Sequence, residues 1–559
     1  MTSGRSVTRL DVWLAAGVAL LAGLTFVPAL SAGFVEWDDP LSIYLNPHIQ
    51  HLDWASLRWM FTDVHYNPRY MPLTWLDWAL TYRLVGLRPF AYHLGSVVLH
   101  AANALLLFGL IRRFQRLDSA EAPEPARVSL AAALGTLFWA IHPLRAEPVG
   151  WATDRSYPQS LFFLLIALHL YLSAVVPARG AARPRMAYWG AVAAFACAVL
   201  SYPIVLGGAA VLLVLDVYPL RRFTDGYASA TARKIYLEKL PFVLLATGAL
   251  VMTLWARVAV EHIWPAPVGL QQFTAGARVM QAFYIYAYYL WRPLVPIGLS
   301  PVYTTLISFR PSDAPFVASL LLVVAVSVLV VALRRRCPLL LVAWVCHLVL
   351  LAASLGLTEH PYSTGDRYAY VEGTLWAVLL AAGLQAIWSA PVRGAIALWA
   401  YAAAGIYAAV LGLLAFRQVT IWHDSVRLYT HMIDTLGDDT YREVIHMRLG
   451  DLFMRRGEWE RARRSFDVVL QLAPGYPEGR FQRGMAELNL GRFEEARVDL
   501  EVVLRKRPDA RAHNLLGVAL RELGRDDEAA AHFSEALREK PDFIDARENL
   551  ARLRGSPTH

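Results

Sequence analysis

The chain has 559 residues, of which 56% are hydrophobic and 18% charged, and its formal net charge is +8. That balance excludes an ordinary soluble globular protein and points to an integral membrane protein with room for a soluble domain. The positive charge does not indicate nucleic acid, because Arg and Lys sit mainly in short loops between apolar runs and toward the C-terminus. Cys197 and Cys346 lie in apolar segments and Cys337 borders one, so no disulfide framework is visible.

From Val12 to Phe34 no residue is charged. A helix over that span is roughly 34 Å long, enough to cross a bilayer core of about 30 Å. Glu36-Trp37-Asp38-Asp39-Pro40 follows at once. Pro40 cannot extend a helix and biases Asp39 toward an extended conformation, so the acids belong where the chain turns along the membrane surface. Neighbours in extended chain point to opposite sides. One carboxylate can therefore face a pocket while the other holds the turn.

The first outer loop runs over residues 34–90. Asp53-Trp54-Ala55-Ser56-Leu57-Arg58-Trp59-Met60-Phe61 begins with a capping acid, and Leu73-Thr74-Trp75-Leu76-Asp77-Trp78-Ala79-Leu80 is a second short apolar piece. Both are too short to span and rich in Trp, so they read as helices in the membrane interface. Further apolar segments fall near 91–111, 128–143, 157–176, 187–203, 204–220, 240–260, 276–297, 315–333, 338–357, 367–388 and 392–416. Arg5 and Arg9 place the N-terminus inside, and Arg112, Arg113, Arg116, the Arg179–Arg185 cluster and Arg221-Arg222 then fall inside too. Arg334-Arg335-Arg336 joins them only if segment 276–297 dips in or lies flat. The expectation is about eleven crossings, with the C-terminal region outside.

Two more loops on the outer side carry polar chemistry. His142-Pro143-Leu144-Arg145-Ala146-Glu147 precedes Trp151-Ala152-Thr153-Asp154-Arg155, and Glu359-His360-Pro361-Tyr362-Ser363-Thr364-Gly365-Asp366-Arg367-Tyr368 lies between two later segments. His, Arg and Tyr at a membrane edge are suited to holding a lipid phosphate, Arg by bidentate hydrogen bonds.

After Phe416 a repeat sets in. Gly450, Gly484 and Gly517 recur at 34 and then 33 residues, followed in step by Gly457, Gly491 and Gly524, by Ala462, Ala496 and Ala529, and by Pro474, Pro508 and Pro541. This is the tetratricopeptide (TPR) period: two antiparallel helices per unit, small residues where they touch. The expected layout is a membrane domain over 1–416, a connector or half repeat over 417–440, and three repeats with a capping helix over 441–554. Stacked TPR units form a groove suited to extended peptide.

Trp37-Asp38-Asp39-Pro40, Asn46-Pro47-His48-Ile49, His142-Pro143 with Glu147 and Trp151, Asp366-Arg367-Tyr368-Ala369-Tyr370, and then TPR repeats resemble the transmembrane-and-TPR protein O-mannosyltransferases and their bacterial relatives. The likeness runs in order along nearly the whole chain. It implies an all-α fold: a polytopic helical membrane domain of the GT-C glycosyltransferase class, with about eleven or twelve transmembrane segments, followed by a TPR solenoid. It also implies a polyprenyl-phosphate sugar donor, mannose in the family, and a Ser or Thr hydroxyl acceptor on protein. The active site would face outward, toward the periplasm from a bacterial inner membrane or toward the lumen in the endoplasmic reticulum. Two positions depart from the pattern: the Tyr-Arg-Pro-Leu-Thr of relatives is Tyr70-Met71-Pro72-Leu73-Thr74 with Arg69 displaced, and a Lys-Pro is Tyr202-Pro203.

The chemistry needs few groups. A sugar phosphate carries its own leaving group, so one carboxylate to take the acceptor proton and cations to stabilise the departing phosphate suffice, and direct displacement inverts the anomeric carbon. Asp38 or Asp39 is the expected base, Asp38 by preference. His142, Arg145, Arg155, Arg367 and Tyr368 are the expected phosphate partners, and Arg69, Glu147, Asp154 and Asp366 further pocket residues. A divalent metal ion held by Asp38, Asp39 and Asp154 is also compatible with these residues. The partners so implied are the lipid-linked sugar, membrane lipids and an acceptor protein or glycan, with no nucleic acid. The alternatives are an O-antigen-type ligase or polymerase acting on lipid-linked glycans, and a non-enzymatic TPR membrane scaffold.

Overall fold

The computed structural model describes residues 8–118, 125–176, 184–260, 268–357, 364–389 and 394–555. The secondary structure of these residues is helical throughout, with no strand among them. The Glu359–Ser363 part of the third polar loop and most of the Arg179–Arg185 cluster lie outside the described residues. The chain divides into two compact units, Met1–Asp424 and Ser425–His559.

Among the described residues of the first unit five helices are long and apolar enough to cross a membrane: Pro89–Leu117, Ala152–Val175, Ala230–Ala259, Ala314–Leu333 and Gly394–His423. Two helix pairs pass the same test only when joined across a sharp bend, Ala126–Ala140 with Pro143–Gly150 at 56° and Asp366–Glu372 with Thr374–Trp388 at 51°. Length and composition therefore qualify five spans, or up to seven, where the apolar runs suggested about eleven or twelve segments. Most of the others form shorter helices, such as Arg9–Thr25 and Ala275–Trp291 with 17 residues each. Seventeen residues rise only about 26 Å, below a full bilayer core.

The first helix starts at a capping box, Thr8 accepting from the Asp11 N–H while the Asp11 carboxylate accepts from the Thr8 N–H. Asp11 is also anchored to the Pro89–Asp118 helix, taking a 2.8 Å hydrogen bond from Arg112 Nε. The helix ends at Thr25 and a 3₁₀ turn containing Pro28 leads into the acidic loop. Of the two Trp-rich pieces, Trp54–Thr62 keeps Trp54 exposed at 79%, whereas Pro72–Val85 buries Trp75 and Trp78 completely. The second piece thus packs one side against protein, while Leu80, Leu84 and Val85 toward its C-terminal end stay exposed.

In the second unit a helix Ser425–Leu436 precedes three helix pairs: Arg442–Arg455 with Trp459–Leu472, Pro477–Asn489 with Phe493–Lys506, and Ala510–Glu522 with Asp526–Glu539. A last helix, Ile544–Leu553, covers the end of the stack. Gly457, Gly491 and Gly524 turn the chain between the paired helices with φ of +70°, +73° and +74°, the left-handed region where a side chain is strained. Phe466, Leu500 and Phe533 are fully buried between helices.

Candidate active site of the membrane unit

The two acids of the first loop have opposite fates. Asp39 is fully buried and receives three hydrogen bonds: Val35 N–H at 2.8 Å, Thr153 N–H at 3.1 Å and the Thr153 hydroxyl at 2.5 Å. Burial pushes its pKa up to about 7; the Thr153 and Val35 donors oppose this and the nearby Asp38 charge adds to it. Asp39 thereby ties the first loop to the segment that carries Asp154. Asp38 instead keeps 36% of its side chain exposed and faces the Arg69 guanidinium at 3.7 Å. Of the pair, it is the carboxylate available to a ligand.

Around Asp38 the fold gathers residues from three distant stretches. Asp154 is 1% exposed, and neither of its carboxylate oxygens has a hydrogen-bond partner. Its charged neighbours are Arg367 and Arg69, which offset its charge, and Glu147 and Asp38, which oppose it. Glu147, also buried, accepts from the Arg367 side chain at 2.5 Å and from the Arg367 N–H at 2.9 Å. The Arg367 guanidinium lies beside the Tyr368 and Trp151 rings, 5.0 and 5.8 Å from their centroids, with its Nε unpaired. Asp366 accepts from the Tyr303 hydroxyl at 2.8 Å, so it serves the neighbouring wall.

The bends in the two broken helices explain this convergence. Pro143 and Pro148 interrupt the first, which removes backbone donors and exposes carbonyls that must be satisfied by side chains. Arg145 answers that need: it is 1% exposed and donates to the Ala369 carbonyl at 2.6 Å and the Trp139 carbonyl at 3.3 Å. His142 is equally committed, with Nε2 on the Pro293 carbonyl at 2.9 Å and Nδ1 accepting from Leu144 N–H at 3.1 Å. Arg155 turns away from Asp154 and binds Asp77 at 2.6 Å, the Tyr92 carbonyl at 2.6 Å and the Thr81 hydroxyl at 3.1 Å. These three were expected to meet a phosphate. The structure instead spends them on the scaffold, because a buried cation or imidazole must be paired where it lies.

Two residues that sequence reasoning did not place in the site belong to it. The Tyr157 and Tyr202 hydroxyls are 3.4 Å apart, the Tyr157 ring lies 6.4 Å from that of Tyr368, and Tyr202 is a close electrostatic neighbour of Arg69. The signal for Tyr202 was the unusual Tyr-Pro at the Lys-Pro position; Tyr157, in an apolar helix start, offered none. The arrangement has two carboxylates able to accept, two guanidiniums and three phenols. It can take a proton and hold an anion. Asp38 and Asp154 are the carboxylates with oxygens left for a cation. Asp39 is not such a ligand, since its oxygens are taken, and among the described residues no three His, Cys, Asp or Glu ligand atoms converge here. A separate apolar cavity of about 310 Å³, lined by residues such as Leu107, Leu164, Leu215 and Leu350, contains none of these charges.

Helical spans, a buried polar cluster and a TPR stack define a polytopic membrane protein with a protein-interaction solenoid. The tetratricopeptide repeat profiles match residues 445–479 and 481–542. The chain is similar to the protein O-mannosyl-transferases TMTC2 of Mus musculus (29% identity, 26% of this chain, 17% of the relative) and Tmtc1 of Drosophila melanogaster (30%, 28%, 18%). It is similar also to TMTC3 of Mus musculus (34%, 19% of this chain, 10% of the relative). The matched stretches thus span less than a fifth of each relative's length, and they support the resemblance to this transferase family read from the loop motifs. Among solved structures the Arabidopsis OM64 TPR domain matches 21% of this chain and 97% of its own, at 26% identity and a TM-score of 0.20.

Proposed function

We propose that this chain is a GT-C-class membrane glycosyltransferase that moves mannose from a polyprenyl-phosphate donor to a Ser or Thr hydroxyl of an acceptor protein, on the extracytoplasmic face and with inversion. The observation that carries the reading is the cluster itself: a ligand-accessible Asp38 beside Arg69, next to a buried Asp154 whose oxygens are both unpaired, backed by Arg367. Buried polar groups are ordinarily hydrogen-bonded, so an orphaned carboxylate among cations marks a place built for a ligand. The TMTC relatives are named protein O-mannosyl-transferases, which supports the same class of reaction.

In this mechanism Asp38 takes the proton of the acceptor hydroxyl as its oxygen attacks the anomeric carbon, and the bond to the lipid phosphate breaks on the opposite side. Arg367 and Arg69 hold the departing phosphate, where negative charge grows, and Tyr157, Tyr202 and Tyr368 supply hydroxyl donors along its edge. Asp154 accepts from sugar hydroxyls. If a divalent cation takes part, Asp38 and Asp154 are the residues that would hold it, and it would supply further charge neutralisation to the phosphate. Asp39, committed to Val35 and Thr153, holds the loop that presents Asp38. The TPR unit serves the acceptor polypeptide, in keeping with the interaction role of such repeats.

The test is radiolabelled polyprenyl-phosphate-mannose added to membranes containing the chain. Label in protein, released by base-catalysed β-elimination from Ser or Thr, is the expected result. Label in lipid-linked glycan identifies the ligase-type reaction instead, and no transfer at all removes the enzyme reading.

A further inference from the structure

The TPR unit holds a second polar cluster, unrelated to the membrane unit's chemistry. In the third repeat the helix Ala510–Glu522 presents His513, and its partner Asp526–Glu539 presents His532, Glu535 and Glu539. The spacing of the last three, at i, i+3 and i+7, puts them on one helical face. Ligand atoms of His513, Glu535 and Glu539 all lie within 4.8 Å of one another, and His513 Nε2 is 3.8 Å from Glu539 Oε1. On the other edge of the ring, His513 Nδ1 is 2.9 Å from His532 Nδ1, with the two rings stacked at 5.2 Å.

We propose that His513, Glu535 and Glu539 form a divalent transition-metal site, of the type that takes Zn²⁺, which staples the two helices of the third TPR repeat. Three observations carry it. The first is the donor set: one imidazole with two carboxylates from two helices is the mixed nitrogen and oxygen set that suits Zn²⁺, whereas Ca²⁺ and Mg²⁺ call for oxygen ligands alone. The second is the two-sided setting of the ring: Nδ1 lies 2.9 Å from the His532 ring nitrogen and Nε2 lies 3.8 Å from Glu539, so the tautomer that spends its N–H on His532 turns the Nε2 lone pair toward the carboxylate side, where a cation would complete the set. The third is the outer support, because a metal-binding His typically donates its other ring N–H to a fixed partner, and His532 Nδ1 stands in that place. Asp509, the cap of the His513 helix, adds a third carboxylate nearby, though Arg507 and Arg511 lie at 3.7 and 3.4 Å from it. Glu535 is paired with Arg538 on the same helix; that Arg side chain is 75% exposed and free to swing into water when the carboxylate turns to a metal. Bond lengths near 2.0–2.2 Å require the three ligand atoms to close in by about an ångström, within the reach of Glu rotamers.

The experiment uses the full chain in detergent, without a polyhistidine tag, stripped with a chelator and then titrated with Zn²⁺ by calorimetry or a chromophoric competitor. One Zn²⁺ per chain is expected, together with a rise in the unfolding midpoint of the TPR transition. Glu539→Gln, nearly isosteric and at the edge of the repeat, should remove that site while the metal-free chain keeps its helical circular dichroism. His532→Phe should weaken binding by about 10–100-fold through loss of the outer partner. Ca²⁺ should not compete. Absence of stoichiometric binding, or binding that survives both Glu539→Gln and His513→Ala, overturns the proposal.

Discussion

The two units handle charge in opposite ways. In the TPR unit many charged side chains are at the surface and paired along their own helix, as in Arg497 with Glu494 and Glu501; Arg483 is an exception that reaches Asp467 of the preceding repeat at 2.8 Å and the buried Asp499 of its own repeat at 2.6 Å. In the membrane unit several charges are buried. Lys239 sits on Asp216 at 2.6 Å, Arg112 on Asp11 at 2.8 Å, and Arg367 on Glu147 at 2.5 Å. The first pattern is nearly neutral for stability, since exposed pairs contribute little against solvent. The second is costly unless every charge is matched, and Asp154 is a buried carboxylate with neither oxygen hydrogen-bonded. Most charge in the solenoid lies at the surface, whereas several charges of the membrane unit are buried and paired.

Substitutions can test that contrast, beginning where the largest effect is expected. Asp38→Asn keeps size and removes the proton-accepting lone pair, so transfer from the lipid-linked sugar should fall about 10²–10⁴-fold with donor binding retained. Normal transfer in a folded Asp38→Asn protein would mean that the exposed acid of the pair is not the base. Arg367→Ala strands Glu147 without its partner, and thermal unfolding in detergent should show a loss of about 3–5 kcal/mol. Adding Glu147→Gln should recover much of that stability without restoring transfer, which separates the structural cost from the catalytic one.

In the TPR unit the strongest effects should come from packing. A Cβ built at Gly517 would stand 2.6 Å from the Phe533 ring. Gly517→Ala should therefore destabilise the third repeat by about 1–3 kcal/mol despite the better helix propensity of Ala. Phe533→Leu combined with it should relieve the clash, and denaturant unfolding followed by circular dichroism reads both. The smallest effect belongs to the surface. Glu548→Gln breaks the 3.1 Å pair with Arg552 and should cost only about 0.3–0.5 kcal/mol. A loss as large as that of Arg367→Ala would erase the distinction drawn between the units.

The TPR architecture is legible from residue spacing because each repeat contacts mainly its neighbours, so local periodicity and tertiary packing say the same thing. Gly457, Gly491 and Gly524 mark turns that demand positive φ, and Pro474, Pro508 and Pro541 each follow a helix end by two residues. The membrane unit is less transparent. Apolar runs mark helices well, yet the number that cross does not follow from composition, since a buried short helix and a membrane span share the same side chains. Segment 187–203 reads like a crossing and forms the helix Pro184–Ser201, with Ala191, Phe195 and Ala198 packed away from solvent and lipid alike.

By itself the sequence determined the helical class, the membrane character, the repeat with its turns, and the presence of acids and cations in three loops. Only the tertiary structure decided which of those polar residues meet. It separated Asp38 from Asp39, joined Glu147 to Arg367 across 220 positions of chain, and set His142, Arg145 and Arg155 to work on backbone carbonyls and Asp77. The reason is physical. A buried charge takes its role from what surrounds it in space, and the bends at Pro143 and near Gly373 bring those surroundings together from stretches that share no local pattern.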